Sequence, residues 1–161
     1  MFEQVIIEPA VRAALAGHTR SRPGTETGGI LIGRHVNATT LKIMRASPPG
    51  PRAMHRRIAF SRDTRFLQRY LDEIHDRTAG AEDYVGEWHV HPALDAPPSY
   101  VDRRSLFRIA RRSNYATDNP VLAIVENVPA ERRLRVYGFE VRPKRRWGEL
   151  PLTAAKATDA H

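Results

Sequence analysis

The apolar positions of this chain switch several times between the period of a strand and that of a helix, and each switch marks an element. Val5 to Ile7 predicts a short opening strand. Pro9 to Gly17 then predicts a helix, with proline in its first turn and glycine near its stop. Thr25 to Arg34 and Thr40 to Ala46 predict consecutive strands joined through Asn37. Ile30 to Ile32 reads as buried, and Gly28 and Gly29 before it let another backbone or a substrate approach closely. Pro48-Pro49-Gly50-Pro51 excludes regular structure and predicts a stiff loop. Arg57 to Phe60 predicts a short strand, and Ser61-x-x-Thr64 opens a stretch in which Phe66, Leu67, Tyr70, Leu71 and Ile74 recur at helical spacing.

Tyr84 to His91, rich in β-branched and aromatic residues and stopped by Pro92, predicts the next strand. Ser99 to Ser113 predicts a helix with Leu106, Ile109 and Ala110 facing inward. Pro120 to Glu126 and Leu134 to Val141 predict a hairpin around Pro129-Ala130-Glu131. Strands interleaved with helices imply the α/β class, here a single layered domain with a mixed sheet flanked by helices. The domain is expected over residues 1–142, and residues 143–161, without periodicity from Lys144 onward, are expected to be a loose basic tail. A length of 161 residues suits one domain with a sizeable core, and 41% hydrophobic against 27% charged residues is a globular balance.

The chemistry concentrates in Glu87-Trp88-His89-Val90-His91-Pro92 and Pro98-Ser99-Tyr100-Val101-Asp102. Residues two apart in a strand lie about 6.6 Å apart and point the same way, so His89 and His91 can converge on one ion. Asp102 comes 11 positions after His91 (102 − 91), behind a turn-prone segment and at a predicted helix start. Two imidazoles and a carboxylate match the three-ligand pattern of catalytic zinc, whose fourth position is left to water. The chain has no cysteine, which removes thiolate zinc sites, iron–sulfur clusters, disulfides and cysteine nucleophiles. Zinc lowers the pKa of its water to roughly 7, and a base must then move the proton. Glu26, at the mouth of the strand that begins with Gly28 and Gly29, is the candidate for that base.

Glu26, then His89-x-His91-Pro92, then Ser99-x-x-Asp102 resembles the pattern of the JAMM (MPN+) zinc metallopeptidase family, and the Glu-Thr-Gly-Gly and Trp-His contexts resemble its prokaryotic-type JAB domains. Val90 stands where that family often has Ser or Thr, on the side of the strand away from the metal. The resemblance implies an MPN-like fold and one zinc per chain held by His89, His91 and Asp102. It implies Glu26 as general acid/base and Ser99 as a donor to the oxyanion. It also implies a substrate, the bond after the C-terminal glycine of a ubiquitin-like protein, cleaved in a conjugate or in a precursor.

Each residue also has a plainer reading. Ser99-x-x-Asp102 alone is a capping box, and capping by Ser99 is compatible with Asp102 turning to a metal. Glu87 shares the face of His89 and His91 and is a rival ligand or base, ranked second because it lies one step deeper along the strand. The net charge of +8, with arginines concentrated over Arg52 to Arg69, Arg103 to Arg112 and Arg132 to Arg146, calls for an acidic partner. Nucleic acid takes a minority share, since no zinc finger, helix-turn-helix or RNP-type aromatic motif accompanies the charge. The alternative to an enzyme is a non-catalytic or nucleic-acid-associated module of the same fold. No apolar run approaches a membrane span, and Met1-Phe2-Glu3-Gln4 lacks the basic region of a signal peptide, so a cytoplasmic location is expected.

Overall fold

In the computed structural model, which describes residues 1–55, 60–112, 117–129, 131–141 and 144–155, the alternating segments pair into one mixed sheet of eight strands. The first half contributes β1 (Gln4–Ile7), α1 (Pro9–Arg20), β2 (Gly28–His35) and β3 (Thr40–Ala46). A two-stranded ribbon of β4 (Met54–His55) and β5 (Phe60–Ser61) precedes α2 (Thr64–Arg77). The second half runs through β6 (Asp83–His91), α3 (Tyr100–Ile109), β7 (Val121–Val128), β8 (Glu131–Glu140), β9 (Arg146–Glu149) and β10 (Leu152–Ala154). The sheet order is β10-β1-β3-β2-β6-β7-β8-β9, with β1 parallel to β3 and β10, β6 parallel to β7, and the other neighbours antiparallel.

Strand alternation sorts the core onto the two faces of this sheet. Leu31, Leu41, Ile43, Trp88 and Val90 pack with Val11 and Leu15 of α1 on one face. On the other, Ile30, Ile32 and Tyr84 pack with Leu67 and Ile74 of α2, and Leu122, Ile124 and Phe139 with Leu106 of α3. The predicted α/β architecture, a mixed sheet flanked by helices, is the observed one. Between Leu31 and Ile32 the β2–β6 register shifts, because Leu31 faces Gly86 while Ile32 faces Tyr84. This one-residue bulge puts Val85 and Trp88 on the α1 side and turns Glu87, His89 and His91 to the side of α2 and α3. Gly86 is required there, since a Cβ at its φ of 157° would stand 2.0 Å from the Val121 carbonyl oxygen.

Several boundaries differ from the sequence reading for identifiable reasons. α1 continues through Gly17 to Arg20, a turn in which Thr19 is buried and its hydroxyl donates to the Leu15 carbonyl oxygen. α2 is capped by Asp63 rather than opened by Ser61, with Asp63 Oδ1 accepting from the Phe66 amide at 3.1 Å. α3 stops at Ile109, with Ala110 as its C-cap. Residues 57–59 of the strand expected at Arg57 to Phe60 lie outside the described residues. The loose tail expected from residue 143 is corrected most. Arg146–Glu149 extends one end of the sheet against β8, and Leu152–Ala154 crosses to the other end and pairs in parallel with β1. Backbone pairing drives this, together with the burial of Leu150 in the core, and neither needs an alternating side-chain pattern in so short a segment. Among the described residues no helix is long and apolar enough to cross a membrane.

Because β10 covers the β1 edge, a chain ending at Leu150 should melt at a lower temperature than the full chain, by about 2–4 °C for each kcal/mol lost. Equal melting temperatures in a calorimetric comparison would show that β10 adds nothing.

Candidate metal centre

β6 ends with His89 and His91 on the face that α3 approaches, and α3 begins with Asp102 in its first turn. Donor atoms of His89, His91 and Asp102 all lie within 4.8 Å of one another. His89 Nδ1 is 3.0 Å from Asp102 Oδ1, and His91 Nε2 is 3.8 Å from Asp102 Oδ2. This donor set, one buried and two half-buried side chains, suits a zinc ion with an open position.

Local sequence explains why the groups meet. Gly28 faces His89 across the β2–β6 pairing, and a Cβ at Gly28 would lie 2.5 Å from the Trp88 carbonyl oxygen and 2.8 Å from His89 Cδ2. Only glycine lets β2 pass that close to the imidazole. At the other wall Ser99 caps α3 in a full capping box. Its Oγ accepts from the Asp102 amide at 3.1 Å, and Asp102 Oδ2 accepts from the Ser99 amide at 2.9 Å and the Ser99 hydroxyl at 2.6 Å.

These surroundings tune the ionisable groups in opposite directions. Burial alone would raise the Asp102 carboxyl, but hydrogen bonding and charge from His89, with the two bonds from Ser99, hold it well below the usual carboxylate range. Burial lowers His91 and outweighs the pull of Asp102, favouring the neutral imidazole that binds metals. Glu26, half-buried just before Thr27 and Gly28, is raised, first by burial and further by the Asp102 charge, with His89 acting against it. Glu26 is thus an electrostatic neighbour of two of the three donors.

Glu87 is placed differently from Glu26. Only 2% exposed, it forms a salt bridge with Arg62, whose Nη2 also lies 3.2 Å from His89 Nε2. Its Oε2 is 3.8 Å from His89 Nε2. The sequence reading missed Arg62, and no local pattern announces it. It also missed Glu126, fully buried beside His91 in the β6–β7 register and held by Arg135 Nη1 at 3.2 Å. A carboxylate closing the apolar run from Val121 to Val125 was the available signal.

The family of prokaryotic homologs of the JAB domain matches residues 8–137. A CD-NTase/cGAS isopeptidase of Enterobacter hormaechei subsp. hoffmannii is 39% identical over 106 residues, covering 65% of this chain and 57% of that protein. A probable metalloprotease of Sinorhizobium fredii is 34% identical over 122 residues, covering 74% of this chain and 73% of that protein. A CD-NTase/cGAS isopeptidase of Vibrio cholerae is 32% identical over 100 residues, covering 62% of this chain and 60% of that protein. The chain therefore spans less than two thirds of the length of the isopeptidases it matches. The solution structure of a Desulfitobacterium hafniense protein shares the fold, with a TM-score of 0.66 over 96% of this chain and 95% of that one at 18% identity.

The Arg62–Glu87 pair makes a distinct demand on stability. Arg62→Met leaves the Glu87 carboxylate buried without its partner, for an expected loss of about 2 kcal/mol. That figure lies below the roughly 3–5 kcal/mol of a fully buried pair because Arg62 is 27% exposed. Urea unfolding measures it, and adding Glu87→Leu should recover part of the loss; an unchanged midpoint in Arg62→Met would mean that the pair is not formed.

Proposed function

This chain belongs to the family of prokaryotic homologs of the JAB domain, and from that premise we propose that it is a zinc-dependent isopeptidase or peptidase. The observation that carries the reading is the convergence of His89, His91 and Asp102 beside a carboxylate, Glu26, that burial has made more basic. His89, His91 and Asp102 are the residues that would hold the metal. When bound, zinc acidifies a water and polarises the carbonyl that the water attacks.

The chain's own groups do the rest. Glu26 takes the proton from the attacking water on its carboxylate and returns it to the leaving amine, a role suited to a carboxyl raised toward neutrality. Ser99 turns its hydroxyl from Asp102 Oδ2 toward the oxygen that gains charge, while its backbone amide keeps Asp102 in place. The positive end of α3 adds to the potential at that point. Glu87, paired with Arg62, steadies His89 rather than moving protons.

The substrate we propose is an amide bond after the C-terminal glycine of a ubiquitin-like protein, either in a conjugate or in a precursor. Three relatives carry the name CD-NTase/cGAS isopeptidase, so a CD-NTase carrying such a modifier is the first conjugate to try. We also propose a cytoplasmic location for it.

Purified protein should carry about one zinc per chain and cleave a modifier–CD-NTase fusion in a chelator-sensitive way. His89→Ala should lose zinc and cleavage together. Glu26→Gln should keep zinc and the fold while turnover falls roughly 10²–10⁴-fold; full activity in that variant would exclude Glu26 as the base.

Ser99 separates capping from catalysis. Ser99→Ala should cost about 1 kcal/mol of stability as a lost cap, and on the order of 10²-fold in kcat if its hydroxyl also meets the oxyanion. A destabilised variant with normal kcat at saturating zinc would leave it a cap alone.

A further inference from the structure

α3 carries the metal donor Asp102 in its first turn, and its outer side opens onto a groove of roughly 800 Å³. Arg103, Arg104, Arg108, Arg111, Arg112 and Arg145 line this groove, and among the described residues no acidic side chain does. Among the described residues none of the six is in an ion pair, whereas arginines along the sheet are neutralised, as in Arg45–Glu82, Arg135–Glu149 and Arg146–Glu140. The remaining lining is aromatic: Tyr100, Phe107 and Trp147. The Arg103 guanidinium lies 5.2 Å over the Trp147 ring and that of Arg145 lies 5.8 Å over Phe107, while Tyr100 stands 68% exposed at the head of the groove.

That lining selects among anionic partners. An acidic protein face would have to bring several carboxylates to six guanidiniums and dehydrate them together, a cost that rises with each buried pair. A nucleic acid strand brings one phosphate per nucleotide, which suits the planar fork of arginine and stays partly hydrated. Its bases, if unpaired, find ring and guanidinium planes on which to stack. Arg104 and Arg108, one turn apart on α3 and both exposed, lie about 6 Å apart along the helix axis, a spacing that lets each meet a separate phosphate of an extended strand. Bases within a duplex are stacked on one another and leave Tyr100 without a partner.

We propose that the arginine-and-aromatic groove along α3 binds single-stranded nucleic acid, with Arg104 and Arg108 on phosphates and Tyr100 stacking on a base. The site is separate from the peptidase reading and does not depend on it.

Fluorescence anisotropy with a labelled oligothymidine of about 12 nucleotides, titrated between about 50 and 200 mM salt, tests this without any turnover. Binding should weaken steeply with salt. Arg104→Gln with Arg108→Gln should weaken it at least tenfold at low salt and flatten the log–log salt slope by about 1.4, two contacts at about 0.7 each. Tyr100→Ala should weaken binding several-fold and leave the slope unchanged. These side chains are exposed, and thermal melts matching the unsubstituted protein will show the variants folded. No binding at low salt would overturn the proposal, as would a double variant that binds like the parent. A duplex of the same length that binds as tightly would overturn it too, and so would poly-L-glutamate displacing the strand at equal charge, which would assign the groove to an acidic protein.

Discussion

The close pairing of β2 with β6 is the constraint on which the candidate site rests. Gly28 has no side chain to hold the strands apart, so the Thr27 carbonyl accepts from the Val90 amide at 2.8 Å, between the two imidazoles. That bond and the β6–β7 ladder fix the backbone on both sides of His89 and His91. The bulge at Gly86 settles which face the rings occupy, since without the extra residue the strand's later side chains would be turned toward α1. Backbone geometry therefore aims the donors, and a rigid sheet is a more exact mount for them than a loop.

Asp102 carries the opposite wall of the site and has two tasks. As the third residue of α3 it completes the capping box with Ser99, and as a carboxylate it faces His89 and His91. The tasks reinforce each other, because the hydrogen bonds that start the helix also favour the ionised carboxylate and point it. A first turn that frayed would move a donor and lose a cap together. Glu26 lies under the opposite influence, with burial and the Asp102 charge both favouring its protonated form. Two carboxyls that feel each other's charge are thereby driven apart in proton affinity, the condition under which one can stay an anion while the other exchanges a proton.

The parts of this arrangement legible in the sequence were those encoded locally. His89 and His91 announce a shared face through strand parity, Ser99 and Asp102 a helix start through their spacing, and Gly28 and Gly29 a close approach through their lack of side chains. The partners supplied from elsewhere in the chain were not legible. Arg62 reaches Glu87 from the segment between β5 and α2, and Glu126 meets His91 only through the parallel β6–β7 register. Strand alternation put Glu87 on the right face but could not show that a cation already occupied it. β9 and β10 are not legible either, because short strands at sheet edges are held by backbone bonds, which leave little trace in side-chain pattern.

Net charge shows the same limit in another form. A balance of +8 does not distinguish an arginine that ties a sheet together from one that faces a partner. Arg135 belongs to the first kind, bridging buried Glu126 to Glu149 across β7, β8 and β9. The arginines beside α3 divide further. Arg108, Arg111 and Arg112 lie at or just beyond the helix C-terminus, where the backbone dipole favours cations, so helix stability is reason enough for their position. Arg103 and Arg104 directly follow the first turn, where the dipole mildly disfavours positive charge, and Asp102 beside them is already engaged with Ser99 and the histidines. Helix stability gives no account of those two. What remains is the groove they face, and an anion held there would lie along the helix whose first turn supplies the Asp102 donor.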